Sequence, residues 1–240
     1  MPFIKLQNLT FSYGEEVILD SINENFEKGL CYVITSRAGE GKTTFLKLIA
    51  GLKLPTSGQI LVDEKSISLF SKKQMLDYHR KTGFLFQDAA LINNLNILDN
   101  LALYYRYNTD LKENQILETI NRYLDYFDLR YALYLRPEQL SHGLQMIVSF
   151  IRAILDEPEL IILDEPIETL DQTLVQKMLK EIIKLKNKGC TLIISTHRVH
   201  LFEKICDMVM ILKDKKIIFS DTIRNLKLEK KEEIKEMIEI

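Results

Sequence analysis

The residues best suited to chemistry fall into two short stretches. The first, ITSRAGEGKTT (34–44), nearly matches the phosphate-loop pattern G-x-x-x-x-G-K-[ST], with Ser36 where the first glycine is usual. In such a turn the backbone N–H groups at a helix start converge on phosphate oxygens, aided by the helix dipole. Lys42 would reach the outer phosphates, and the Thr43 hydroxyl would ligate a magnesium ion. Gly39 and Gly41 keep the backbone approachable where the turn is tightest. Ser36, Arg37, Ala38, Glu40 and Thr44 complete the candidate loop. Serine is the smallest replacement compatible with its position, though it enters positive φ less readily than glycine. A turn of this composition also arises by chance, so the pattern needs support from elsewhere in the chain.

The second stretch, ELIILDEP (159–166), is an apolar run that ends in two acids. It places Asp164 and Glu165 at the carboxyl end of a buried strand, where ligands of open α/β sheets bind. Asp164 can organise a metal and its waters. Glu165 can polarise a water for in-line attack on a γ-phosphate. Adjacent acids before a proline also suit a plain solvated strand end. The upstream Lys-Thr loop tips the reading toward phosphoryl chemistry.

These groups need elements to hold them. CYVIT (31–35) reads as a short buried strand feeding the turn, and KTTFLKLIAG (42–51) as a helix that Gly51 can end. Further strands are expected near Ile60–Val62, at TGFLF (82–86), in ELIILDEP, at TLIIST (191–196) and at MVMIL (208–212), with a hairpin-like KDKKIIF (213–219). Leu174, Val175, Met178, Leu179, Ile182 and Ile183 mark an amphipathic helix. From about 95 to 156, strand signals are missing and Ile116, Leu117, Ile120, Tyr123, Leu124 and Phe127 recur at helical spacing. The expectation is an α/β fold: a phosphate-loop core with a mostly parallel sheet and an antiparallel β part, carrying an inserted α-helical subdomain. In residue terms, one domain (1–240) divides into a core of 1–90 and 157–220, a helical subdomain of about 91–156, and a charged tail of 221–240 expected to be helical.

The 240-residue length allows one large domain. Lys+Arg at 32 nearly balance Asp+Glu at 34, so no strong field invites nucleic acid or an anionic membrane. Cys31, Cys190 and Cys206 are far apart in sequence, form no metal-ligand pair and suit a reducing cytosol. No apolar run approaches the roughly 18 to 20 residues needed to span a bilayer. Any work at a membrane would pass through a partner.

Taken together, the chain resembles the ATP-binding cassette (ABC) ATPases over nearly its whole length. LTFSYG places Tyr13 where the family's aromatic stacks on adenine. FLFQD places Gln87 where a glutamine meets the metal and the attacking water. QLSHGLQ, with Ser141 and Gly143, occupies the signature position, where LSGGQ is usual. ETLD with Asp171 resembles the D-loop, and STH with His197 the switch histidine. The resemblance implies ATP and Mg²⁺ as ligands, with Thr43, Gln87 and Asp164 at the metal and Glu165, His197 and Gln87 in catalysis. It implies an ATP-dependent homodimer, each nucleotide lying between one phosphate loop and the opposite Ser141 and Gly143. Ser141 also suits a plain helix N-cap.

Four features depart from the family pattern: Ser36, His142 in place of the first signature glycine, Leu144 in place of glutamine, and Met146 and Ile147 where basic residues are common. His142 puts a side chain where the opposite nucleotide should press close. The run FLFQDAALINNLNILDNLALYYRYNTDL (84–111) resembles the corresponding region of Mla/Mce-type lipid transporter ATPases. This implies an energising subunit at the cytoplasmic face of the membrane, working with a separate integral permease and accessory lipid-transport subunits, without nucleic acid. Lipoprotein-release, cell-division and small-molecule export cassettes share the broader pattern, and a non-catalytic ATP-gated scaffold is a further alternative. A cassette acting on ribosomes or DNA would carry two fused copies or a coiled-coil insertion.

Overall fold

The computed structural model describes residues 3–229 and Ile234. Six strands form the central sheet: β3 (Cys31–Thr35), β6 (Thr82–Leu85), β7 (Leu160–Asp164), β8 (Thr191–Ser195), β9 (Met208–Lys213) and β10 (Lys216–Thr222). Their order is β10-β9-β3-β8-β7-β6, parallel throughout except where β10 folds back on β9. Every residue of β3, β7 and β8 is buried. That is why these strands read as unbroken apolar runs: a parallel sheet is covered on both faces.

Alternation along the strands divides the apolar residues between two cores. Val33, Ile161, Leu163, Leu192 and Ile194 face α3 (Ile97–Asn108), α4 (Glu113–Tyr126), α5 (His142–Ile154) and α6 (Gln172–Asn187). Tyr32, Ile34, Leu160, Ile162 and Ile193 face the other way, onto α1 (Lys42–Ile49). A four-stranded antiparallel sheet closes that second core, in the order β2 (Glu16–Phe26), β1 (Ile4–Tyr13), β4 (Ser57–Val62), β5 (Lys65–Ser66). The helix that starts at the phosphate loop is thus packed between two sheets. α3, α4 and α5 follow one another with no strand between them. At Gly83 a Cβ would stand 2.1 Å from the Ala153 carbonyl oxygen, so β6 and α5 touch backbone to backbone only because that residue is glycine.

Several expectations are corrected here. β1, β2 and α2 (Lys72–Arg80) go unseen in the sequence reading. In β1 the apolar alternation slips: Ile4 and Leu6 are in one phase and Leu9 and Phe11 in the other. Asn8 sits between them with φ of 47°, and the register shifts there. The hairpin does not stop at Phe219, because Ser220, Asp221 and Thr222 still pair with β9. The tail helix therefore starts later, as α7 (Ile223–Leu228). Of the rest of the expected tail helix, 230–233 and 235–240 lie outside the described residues, while Ile234 is buried in the larger core.

Candidate functional site

β3 delivers the chain to the turn and α1 takes it away. Gly39 and Gly41 have φ of 84° and 100°, and Gly41 is the N-cap of α1. A Cβ on Gly41 would lie 2.8 Å from the Ile18 methyl Cγ2, so β2 presses the loop closely at that point. Glu40 anchors the loop from its other side, its Oε2 accepting the Asp214 N–H at 2.9 Å. Ser36 is buried beneath the turn and its hydroxyl donates to the Arg37 carbonyl at 2.8 Å.

Lys42, the first residue of α1, is turned inward. Its Nζ donates to the Ser36 carbonyl at 3.3 Å and to the Ser36 hydroxyl at 3.1 Å. It also lies 3.4 Å from Glu165 Oε1 and 3.1 Å from His197 Nε2. His197 Nε2 is in turn 3.1 Å from the same Glu165 oxygen. One ring nitrogen cannot accept from Lys42 and donate to Glu165 at once, so the imidazole tautomer selects between the two. Both Glu165 carboxylate oxygens are buried, and neither accepts a hydrogen bond of proper geometry. The Lys42 ammonium beside the carboxylate offsets its charge without saturating its lone pairs.

Asp164 is held more tightly. Its Oδ2 accepts from the Thr43 hydroxyl at 2.6 Å and its Oδ1 from the Ser195 hydroxyl at 2.5 Å. Glu165 has φ of 49°, a left-handed conformation costing a non-glycine residue about 1 kcal/mol or more. Its N–H is secured by the Ser195 carbonyl at 3.1 Å and the Ser195 hydroxyl at 3.0 Å. Ser195 is a residue that sequence reasoning missed. Its signal was a polar side chain ending an apolar strand two places before His197.

Tyr13 stands half-exposed at the end of β1, edge-on to Phe11 at 4.9 Å, with Lys53 Nζ 4.8 Å from its ring centre. A hydrogen bond with Thr44 holds its hydroxyl below the usual tyrosine pKa. Tyr13, Ile18, Ala38 to Thr44, Gln87, Asp164, Glu165 and His197 surround a cleft of about 390 Å³. Ile18 and Lys53 are further neighbours that no sequence motif marked.

Arg37, Ser141, Gly143 and Asp171 do not line this cleft. Ser141 caps α5, accepting the Leu144 N–H at 3.4 Å, and Asp171 caps α6, accepting the Leu174 N–H at 2.9 Å. Both are exposed. A Cβ on Gly143 would meet the Thr169 carbonyl at 2.8 Å, so the start of α5 packs on the segment joining Glu165 to Asp171. His142 is exposed and makes no hydrogen bond or ion pair among the described residues. Met146 and Ile147 are core residues of α5, and Leu144 packs partly against the same core.

Thr43, Asp164 and Gln87 offer a metal only oxygen atoms and a single carboxylate. No group of three or more His, Cys, Asp or Glu among the described residues could hold a metal alone. That donor set suits magnesium, which favours hard oxygen ligands and fills its shell with water and substrate phosphate. Among the described residues, no helix is long and apolar enough to cross a membrane.

The ABC transporter family model matches residues 19–168. The chain is 35% identical over 224 residues to an intermembrane phospholipid transport system ATP-binding protein MlaF from Haemophilus influenzae, covering 93% of this chain and 85% of that protein. It is 33% identical to the L-cystine import ATP-binding protein TcyC from Bacillus subtilis, covering 87% and 86%. Among solved structures, a dimeric post-hydrolysis state of the ATP-binding cassette MJ0796 bound to ADP and Pi matches with a TM-score of 0.84 and 28% identity, covering 92% of this chain and 99% of that one. A phosphate loop joined to a buried acid pair, on a sheet of this topology, is therefore set in a chain that belongs to the ABC transporter family, as a cassette that binds and hydrolyses ATP.

Proposed function

We propose that two copies of this chain close on two magnesium-bound ATP molecules and drive a separate membrane permease that moves phospholipid. The observation that carries the reading is the junction of Lys42, Glu165 and His197 beside the Thr43–Asp164 pair. Tyr13 takes the adenine ring, and the N–H groups of residues 38–44 take the phosphates. Lys42 leaves Ser36 and Glu165 for the outer phosphates, which frees Glu165 Oε1 to accept a proton from the attacking water. His197 stands close enough to steady the γ-phosphate or to hold Glu165 in place. Thr43, Asp164 and Gln87 hold the magnesium ion, whose charge offsets that of the phosphates.

Ser141 and Gly143 lie outside the cleft of their own chain, as a site completed by the opposite copy requires. The solved cassette MJ0796 is itself a dimer. The partner of phospholipid chemistry rests on the MlaF relatives, one from Haemophilus influenzae and another from Escherichia coli at 33% identity over 216 residues. Phe84, Phe86, Leu101 and Tyr104 border a cavity of about 250 Å³ beside the Gln87 loop, which suits a short helix of the permease. That docking would hold the chain at the inner face of the membrane. Reconstituting the chain with the membrane protein that co-purifies with it, in vesicles carrying labelled phospholipid, tests the whole reading. ATP-dependent movement of the label is expected. Hydrolysis with no lipid moved would leave the ATPase and remove the cargo.

His142→Gly tests the signature departure. His142 has no hydrogen-bond or ion-pair partner among the described residues of its own chain, so its removal should leave the rate unchanged or raise it. The glycine itself should cost no more than about 1 kcal/mol of helix stability. A fall in kcat of about tenfold or more would instead assign the imidazole a direct role on phosphate.

A further inference from the structure

The loop after Gln87 carries two adjacent alanines in left-handed backbone, Ala89 with φ of 60° and Ala90 with φ of 45°. Neither residue has the freedom of glycine, so the turn must be held from outside. Local bonds do part of this: the Ala89 N–H donates to the Phe86 carbonyl at 3.0 Å and the Ala90 N–H to the Asp88 carbonyl at 2.7 Å. The carbonyls of the same two alanines meet on one side chain. Arg152 Nη2 donates to Ala90 O at 3.0 Å and to Ala89 O at 3.3 Å, with the Ser149 hydroxyl at 3.5 Å. No carboxylate pairs with Arg152 among the described residues, and burial holds its guanidinium below the usual arginine pKa. A partly buried cation with no counter-ion needs acceptors, and loop carbonyls are what this one receives.

Arg152 stands on the last turn of α5, one residue before the Ala153 carbonyl that Gly83 admits against β6. That contact fixes the helix end against the strand from which the Gln87 loop departs. We propose that Arg152 is a positioning residue for Gln87, holding the Ala89–Ala90 turn so that the Gln87 amide stands in the nucleotide cleft. The proposal rests on the role given to Gln87 above. It has a structural consequence. α5 begins at the Ser141 cap and carries Arg152 on its last turn, about 16 Å further along the helix axis. A displacement of Ser141 by the opposite copy's nucleotide would then reach Gln87 through one rigid element.

The test compares Arg152→Lys, Gln87→Ala and the double variant. Lysine keeps the charge but is a point donor that cannot reproduce the planar fork of a guanidinium. Arg152→Lys should lower kcat by about tenfold, approaching Gln87→Ala, while KM for ATP moves by less than about threefold. The double variant should be no worse than Gln87→Ala alone, because the two residues act in series. In nucleotide-free protein, amide exchange across 86–92 should rise in Arg152→Lys while β7 and β8 stay protected. Losses that multiply in the double variant would overturn the proposal, as would exchange rising over the whole chain. Gln87→Ala impaired with Arg152→Lys at the wild-type rate would overturn it alone. Gln87→Ala at the wild-type rate would remove the assigned role of Gln87 and the proposal with it.

Discussion

Glu165→Gln is expected to cut ATP turnover by about a thousandfold while leaving ATP bound. The substitution keeps the side chain's size and an acceptor oxygen, so the burial and the left-handed turn at Glu165 survive. It removes the basicity needed to take a proton from water. The phosphate contacts proposed for residues 38–44, Lys42 among them, are left unaltered. The negative charge that Glu165 sets against a triphosphate is gone, so affinity should hold or rise. With the nucleotide bound and not cleaved, the closed dimer should persist, and its mass should double by light scattering on adding ATP and magnesium. A variant that turns over within about tenfold of wild type would take the general base away from Glu165. One that stays monomeric at saturating ATP would count against the nucleotide-bridged dimer while leaving the base intact.

How much of this site could be read from sequence depended on whether a residue's role is local. Lys42, Thr43, Asp164 and Glu165 stand at fixed places on a strand–turn–helix and at a strand end, so their spacing announces them. Asp164 and Thr43 are 121 residues apart, yet the parallel order β3-β8-β7 brings both to the carboxyl end of the strands. Ser195 was passed over because its task, bonding Asp164 Oδ1 and the Glu165 N–H, exists only after β7 and β8 pair with Asp164 opposite Ser195. The same holds for Arg152, which the sequence presents as one polar residue near the end of an apolar helix. The antiparallel sheet was hard to see for another reason. The bulge at Asn8 changes the phase of the alternation in mid-strand, and period-two patterns do not survive a slip of one residue. The parallel strands needed no period at all, being buried on both faces.

Lys42→Ala should abolish hydrolysis, and its effect on the nucleotide-free protein is the more informative measurement. Lys42 is 8% exposed and Glu165 6%, and Asp164 beside them is 1% exposed. Deleting the lysine leaves two buried carboxylates with His197 as the nearest titratable partner of Glu165. Removing one partner of a buried ion pair costs about 3 kcal/mol, because the remaining charge stays out of water. For a chain of this size that corresponds to a fall in Tm of roughly 6 to 12 °C. Glu165→Gln alone leaves Lys42 its bonds to the Ser36 carbonyl and hydroxyl, and should cost less. The decisive arm is the double variant Lys42→Ala with Glu165→Gln. If the penalty in Lys42→Ala is an unpaired Glu165 charge, neutralising that charge should return most of the lost Tm while activity stays absent. Additive losses would mean that Lys42 stabilises the loop through Ser36 alone. In that event the 3.4 Å approach of Lys42 to Glu165 is a contact without energetic weight.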